Sequence, residues 1–261
     1  MPPILNNKNY HALSIFKPEN LLREARRQKA VPDGKIPAIC ILDPDGDILQ
    51  HLLDTQQAGS NPHWACYHTR LYNFGLNGLE CGIIGGVVGA SFAVLVAEEL
   101  FASGCELLIS ITSAGQILPI RQPPYFILIE KALRDEGTSY HYLPPAQYAS
   151  INPALLSRLG KAFDHQQSSV AMIRGAVWTT DAPFRETDDA LAYCRSEGIL
   201  AVEMEAAALY AFAQACDRNV ICFAHVTNQM GNIEGDFEKG AAGGSHDALR
   251  VIEQTIRSWL C

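Results

Sequence analysis

Five short apolar runs, Ala38 to Leu42, Cys81 to Gly85, Leu107 to Thr112, Val170 to Thr179 and Val220 to Thr227, are separated by longer stretches with apolar residues at helical spacing. Runs this short and this apolar read as strands buried on both faces, and the intervening amphipathic stretches are the helices that bury them. The alternation restricts the chain to an α/β domain with a mostly parallel sheet. Helix starts are marked at Asn152, a cap residue followed by Pro153 in the first turn, and at Ser245 ahead of a closing helix through Leu260. Ser113, Asp181 and Asn228 fall in loops at strand ends, where such architectures place their chemistry.

The 261 residues contain no Pro/Gly/Ser-rich linker, so one compact domain over 36–261 is expected, preceded at 1–35 by an extension that carries a helix. A net charge of −8 speaks against a nucleic-acid or anionic-membrane partner, which clustered Lys and Arg would have to hold. The one basic run, Arg23 to Lys29, reads as the solvated face of a helix that buries Leu21, Leu22 and Ala25. With neither an apolar span of membrane length nor a signal-peptide pattern, a soluble, cytoplasmic protein is expected. The eight cysteines form no CxxC pair and several sit in the strand-like runs, which predicts reduced thiols and no metal site.

Four segments carry polar groups in places that packing alone does not explain. In AVEMEAAALYAFA, Ala201 to Ala213, Glu203 and Glu205 stand at the mouth of an apolar helix, where the helix dipole favours carboxylates. Gly82, Gly85, Gly86 and Gly89 make a turn between a strand and the helix Ser91 to Ser103; such a turn lets backbone approach an anion or a sugar. Its GxxGGxxG spacing is not the GxGxxG of a dinucleotide fold. Ser113, Ala114 and Gly115 end a strand with small residues and one hydroxyl, and VWTTDAPFRET follows another strand with Trp178, Asp181 and Arg185.

Taken with GIIGGVVGASFAVLVAEEL, ISITSAGQI and ALRDEGTSYHYLPP, these segments resemble, in content and order, the nucleoside phosphorylase superfamily, in particular its uridine phosphorylase-like branch. The resemblance implies a three-layer αβα sandwich around a twisted mixed β-sheet, assembled as a homo-oligomer with its site at a dimer interface. It implies cleavage of the N-glycosidic bond of a nucleoside, with no cofactor and phosphate as a co-substrate. By the same resemblance Glu205 grips the ribose hydroxyls, Met204 packs on the sugar, Glu203 supports both, and Trp178 faces the base. Gly89, Ser91 and Ser113 lie by the nucleophile, Asp181 and Arg185 by the substrate, and His11 reaches the 5′-hydroxyl of a neighbouring subunit. Asn228 stands where purine-cleaving relatives have an aspartate; an amide can hydrogen-bond an oxo-substituted base but cannot hand it a proton.

The phosphate pocket departs from the pattern. The family's GDPxR reads LDPDG here, with Gly46 in place of the arginine; the second arginine aligns with Ser110, and the third falls near Tyr67 and His68. His68 or Arg70 would have to substitute. Three losses of charge-assisted hydrogen bonds at roughly 1.5 to 3 kcal/mol each weaken phosphate binding by on the order of a thousandfold or more. Phosphorolysis with rearranged cations, hydrolysis by water, and binding without turnover are the three outcomes left open.

Overall fold

The computed structural model describes residues 2–160, 163, 170–230 and 234–260. Its centre is a ten-stranded mixed sheet. The apolar runs become β1 (Ile39–Asp43), β4 (Leu79–Gly85), β5 (Leu107–Gln116), β8 (Met172–Thr180) and β10 (Asn219–Asn228). All five residues of β1 are buried, as expected of a strand covered on both faces. β2 (Ala58–Ser60), β3 (Tyr72–Leu76), β6 (Tyr125–Asp135), β7 (Tyr148–Ser150) and β9 (Ile199–Glu203) complete the sheet.

β5 is long enough to serve several partners. Its first half pairs in parallel with β1, its length pairs in parallel with β10, and Gly115 and Gln116 pair antiparallel with β9. β10 in turn pairs with β6, β6 with β8, and β8 with β9, so the path returns to β5 and closes a ring. β1, β4, β3 and β2 continue outward from the ring as an arm.

Helices cover both faces and give the αβα sandwich. α3 (Ala90–Ala102) packs on α6 (Ala206–Cys216) and on α1 (Pro18–Lys29), which buries Leu22 and Ala25 beneath its charged face. α2 (Asp47–Asp54) and α4 (Pro153–Gly160) pack on α7 (Ser245–Leu260), while α5 (Asp188–Ser196) lies against β9. Asn152 Oδ1 accepts the Ala154 N–H, which is the cap anticipated at that helix start. Seven cysteines are unpaired thiols; Cys261 lies outside the described residues.

The stretch Ala201 to Ala213 is a strand, a turn and a helix rather than one helix. Glu203 ends β9, and α6 begins only at Ala206. The physical cause is the Glu203 side chain, whose Oε2 accepts the N–H groups of Glu205 (2.7 Å) and Ala206 (2.8 Å) and so caps the helix from the strand.

Candidate active site

Strand ends β5, β9 and β10 converge on a cleft of about 310 Å³ lined by Ser113, Gly115, Glu203, Met204 and Asn228. Phe184, Glu186, Met230 and Phe237 close its other side. A Cβ at Gly115 would stand 2.8 Å from Met230 Sδ and 3.3 Å from Asn228 Oδ1, so Met230 would have to move to admit one.

Glu205, next in sequence to the cleft residue Met204, has 1 % of its surface exposed. Its backbone caps α6, and its carboxylate joins two other elements: Oε1 accepts the Gly89 N–H at 2.6 Å and Oε2 accepts Thr112 Oγ1 at 2.8 Å. Gly89 caps α3 at φ +94°, a backbone geometry that glycine adopts without steric cost. Each carboxylate oxygen therefore satisfies one protein donor and keeps a second lone pair. Glu203, also buried, accepts from the Thr179 hydroxyl as well as from the α6 N-terminus. Burial pushes both carboxyls up, and the Glu205 charge pushes Glu203 further in the same direction. Both sets of donors favour the ionised form and oppose that rise.

Beside the cleft, and sharing Ser113 with it, is a recess lined by Asp43, Asp45, Asp47, Thr112 and His225. Asp45 Oδ2 accepts the Ser113 N–H and its Oδ1 accepts Ser113 Oγ, both at 3.0 Å. Lys239 Nζ is engaged with Asp47. Asp43 accepts the Leu49 N–H at 2.9 Å, yet burial raises its carboxyl to about 7. His225, 7 % exposed, is stacked on Phe126 and makes no hydrogen bond among the described residues; burial and the Lys239 charge hold it at about 4, so its imidazole is neutral. Ser110, at the place of the second arginine, buries a hydroxyl without a partner among the described residues.

The structure thus brings together Gly89, Ser113, Glu203, Met204, Glu205 and Asn228. Asn228 Oδ1 accepts the Met230 N–H at 2.9 Å and Nδ2 donates to Thr227 Oγ1 at 3.2 Å, leaving one amide N–H uncommitted among the described residues. Ser91 lies exposed in the first turn of α3. Asp181 Oδ2 holds the Gly137 N–H at 2.8 Å, and Arg185 is exposed at the end of the turn Pro183–Arg185. His11, His68 and Arg70 are outside this chain's cleft: His11 sits in an exposed N-terminal turn, and the other two are on the loop before β3.

Trp178 is not a face for the base. It is 4 % exposed, donates Nε1–H to Asp135 Oδ2 at 2.9 Å, and packs with Ile117, Leu191, Ile199 and Val202 in a second core. An indole so enclosed has no free ring surface to offer. Its place at the cleft is taken by Phe184, fully exposed on the turn that follows β8. Sequence reasoning also passed over Asp45 and Glu186. Glu186 lines the cleft, with burial raising its carboxyl to about 7.

Comparison with known proteins agrees with the fold. The chain is similar to the guanosine phosphorylase of Halorubrum lacusprofundi, 23% identical over 236 residues that cover 87% of this chain and 93% of that one. An uncharacterized protein of Acanthamoeba polyphaga mimivirus is 29% identical over 155 residues, 59% of this chain and 58% of the relative. Among solved structures, uridine phosphorylase from Vibrio fischeri complexed with 6-hydroxy-1-naphthoic acid superposes with a TM-score of 0.66 at 22% identity, covering 86% of this chain and 89% of the other. Purine nucleoside phosphorylase from Toxoplasma gondii in complex with immucillin-H gives a TM-score of 0.71 at 15% identity over 85% and 90% of the two chains. The phosphorylase superfamily model matches residues 38–257, which run from β1 into α7 and include Asp45, Gly89, Ser113, Glu205 and Asn228. The ring of strands is thus a fold shared with these structures, and the chain belongs to the phosphorylase superfamily.

Proposed function

We propose that this protein is a nucleoside phosphorylase-like enzyme that cleaves the N-glycosidic bond of a nucleoside bearing an oxo-purine or pyrimidine base. One observation carries the reading: a single carboxylate, Glu205, ties Gly89 at the start of α3 to Thr112 on β5, next in sequence to Met204, which lines the cleft. Bond cleavage builds positive charge on the sugar and negative charge on the base. In this reading Glu205 accepts from the ribose hydroxyls, Met204 packs on the sugar face, and Glu203 fixes the backbone of Glu205 and Ala206. The uncommitted N–H of Asn228 supports the base as it gains electrons, with Glu186 and Phe184 around its edge. The nucleophile enters at Ser113.

A second copy of the chain completes the site. Leu13, Ile15 and Phe16 are exposed beside His11, as is Val88 beside Gly89, apolar surface that a monomer leaves in water. His11, His68 and Arg70 act from that copy, and the enzyme works in the cytoplasm on a small nucleoside without a cofactor. The test is incubation with guanosine, inosine, uridine and adenosine, following base release by chromatography. Release from the oxo-base nucleosides ahead of adenosine is expected, and failure to release any base refutes the assignment.

A further inference from the structure

The recess beside the cleft is built against anions. Both donors that Ser113 could offer a nucleophile, its N–H and its hydroxyl, are held by the two oxygens of Asp45. Asp43 and Asp47 line the same recess, and Lys239, the cation beside it, is engaged with Asp47. His225 is the independent sign that something small and polar belongs there: a buried, neutral imidazole facing the recess with no hydrogen-bond partner among the described residues. A phosphate dianion at Ser113 would meet the Asp45 carboxylate, whereas a water molecule would meet an acceptor, an imidazole and Ser113.

We propose that Asp45 selects the acceptor: it occupies the seat an anionic nucleophile would take at Ser113, and it is the base that turns a water molecule onto the sugar. This rests on the glycosidic-bond reading above and specifies its nucleophile. A lone pair of the water oxygen forms the new bond to C1′ as the C1′–N bond breaks, and the bonding pair leaves with the base. The water proton passes to an Asp45 carboxylate oxygen, the departing base takes up one proton from solvent, and Asp45 returns its own to solvent. The products are free ribose and the neutral base, and no co-reactant other than water is consumed. Asp45 is exposed at the mouth of the recess, so its replacement disturbs no core packing.

The experiment compares the wild type with Asp45→Asn and Asp45→Ala, each with guanosine or uridine, with and without inorganic phosphate. The wild type is expected to give free ribose at a rate indifferent to phosphate, with label from ¹⁸O-water at C1′. Asp45→Asn should lose roughly 10²-fold or more of that rate, the usual range for removing a general base. Asp45→Ala frees both Ser113 donors, so ribose 1-phosphate should appear when phosphate is supplied. Phosphate binding by calorimetry gives a readout that needs no turnover: none is expected in the wild type, and measurable binding in Asp45→Ala. Saturable production of ribose 1-phosphate by the wild type, with Asp45→Ala leaving the phosphate dependence unchanged, overturns the acceptor assignment while the glycosidic-bond reading stands. If no base is released by any form, the function itself fails and the assignment of Asp45 with it.

Discussion

Replacing Glu205 by glutamine separates the proposed ribose grip from the structural role of the same side chain. The Gly89 N–H cannot reorient, so the carbonyl of the introduced amide must accept it in place of Oε1, now at 2.6 Å; the new NH2 must then donate to Thr112 Oγ1, whose hydroxyl can turn to accept. Both protein contacts survive in neutral form, each weaker by about 1 kcal/mol, and the cost of burying a charge disappears. Stability should therefore change by no more than about 1 kcal/mol in urea unfolding. The substrate loses more. One oxygen that accepted from the diol becomes a donor, and the other loses its charge, together about 3 kcal/mol or roughly 100-fold in kcat/KM. A cycle with 2′-deoxyribonucleosides locates the effect: removing the 2′-hydroxyl should hurt the wild type and hardly matter to Glu205→Gln. A variant within about threefold of wild-type kcat/KM, or one with no coupling to the 2′-hydroxyl, refutes the assignment of Glu205 to the sugar.

Trp178→Phe should lower stability by about 1–3 kcal/mol, because Asp135 Oδ2 loses its indole donor, and should leave KM within about twofold; a large rise in KM would restore the indole to the base site. For Asp43 the folded carboxyl is raised to about 7 from an ordinary 3.8, so the fold holds a proton that the unfolded chain releases. The stability this contributes is complete below the unfolded value and is lost as pH rises through about 7; Asp43→Asn, which keeps an acceptor for the Leu49 N–H, should flatten that slope in urea midpoints. Glu186, raised to about 7 by burial, should give kcat/KM an inflection near that pH, and Glu186→Gln should remove it.

The frame was largely legible because its strands are short apolar runs with glycines and polar turns between them. β1, β4, β5, β8 and β10 all lie on the runs that the sequence marks. The segment from Ile199 to Phe212 was not legible in the same way, since it has no glycine or proline to punctuate it beyond Gly198. Its break is made by the Glu203 side chain folding forward onto two backbone N–H groups, an interaction that hydrophobic periodicity cannot register. Trp178 misled for a related reason: both of its roles, stacking and packing, ask for the same aromatic residue at a strand end, and burial decides between them. Asp45 could be read only as a missing arginine's neighbour. Its partner Ser113 is 68 residues away, and parallel pairing of β1 with β5 is what brings the two loops together.

The closed circuit of β5, β10, β6, β8 and β9 has a further consequence for how this protein tolerates change. Because β5 keeps register with three neighbours at once, inserting a single residue in it would slide every partner and turn Ser113 to the opposite side. The circuit acts as a ruler whose divisions cannot be altered one at a time. Variation is thereby confined to the connections beyond the rim, such as Pro183–Arg185, where chain length is free to differ without moving Glu205 or Asn228.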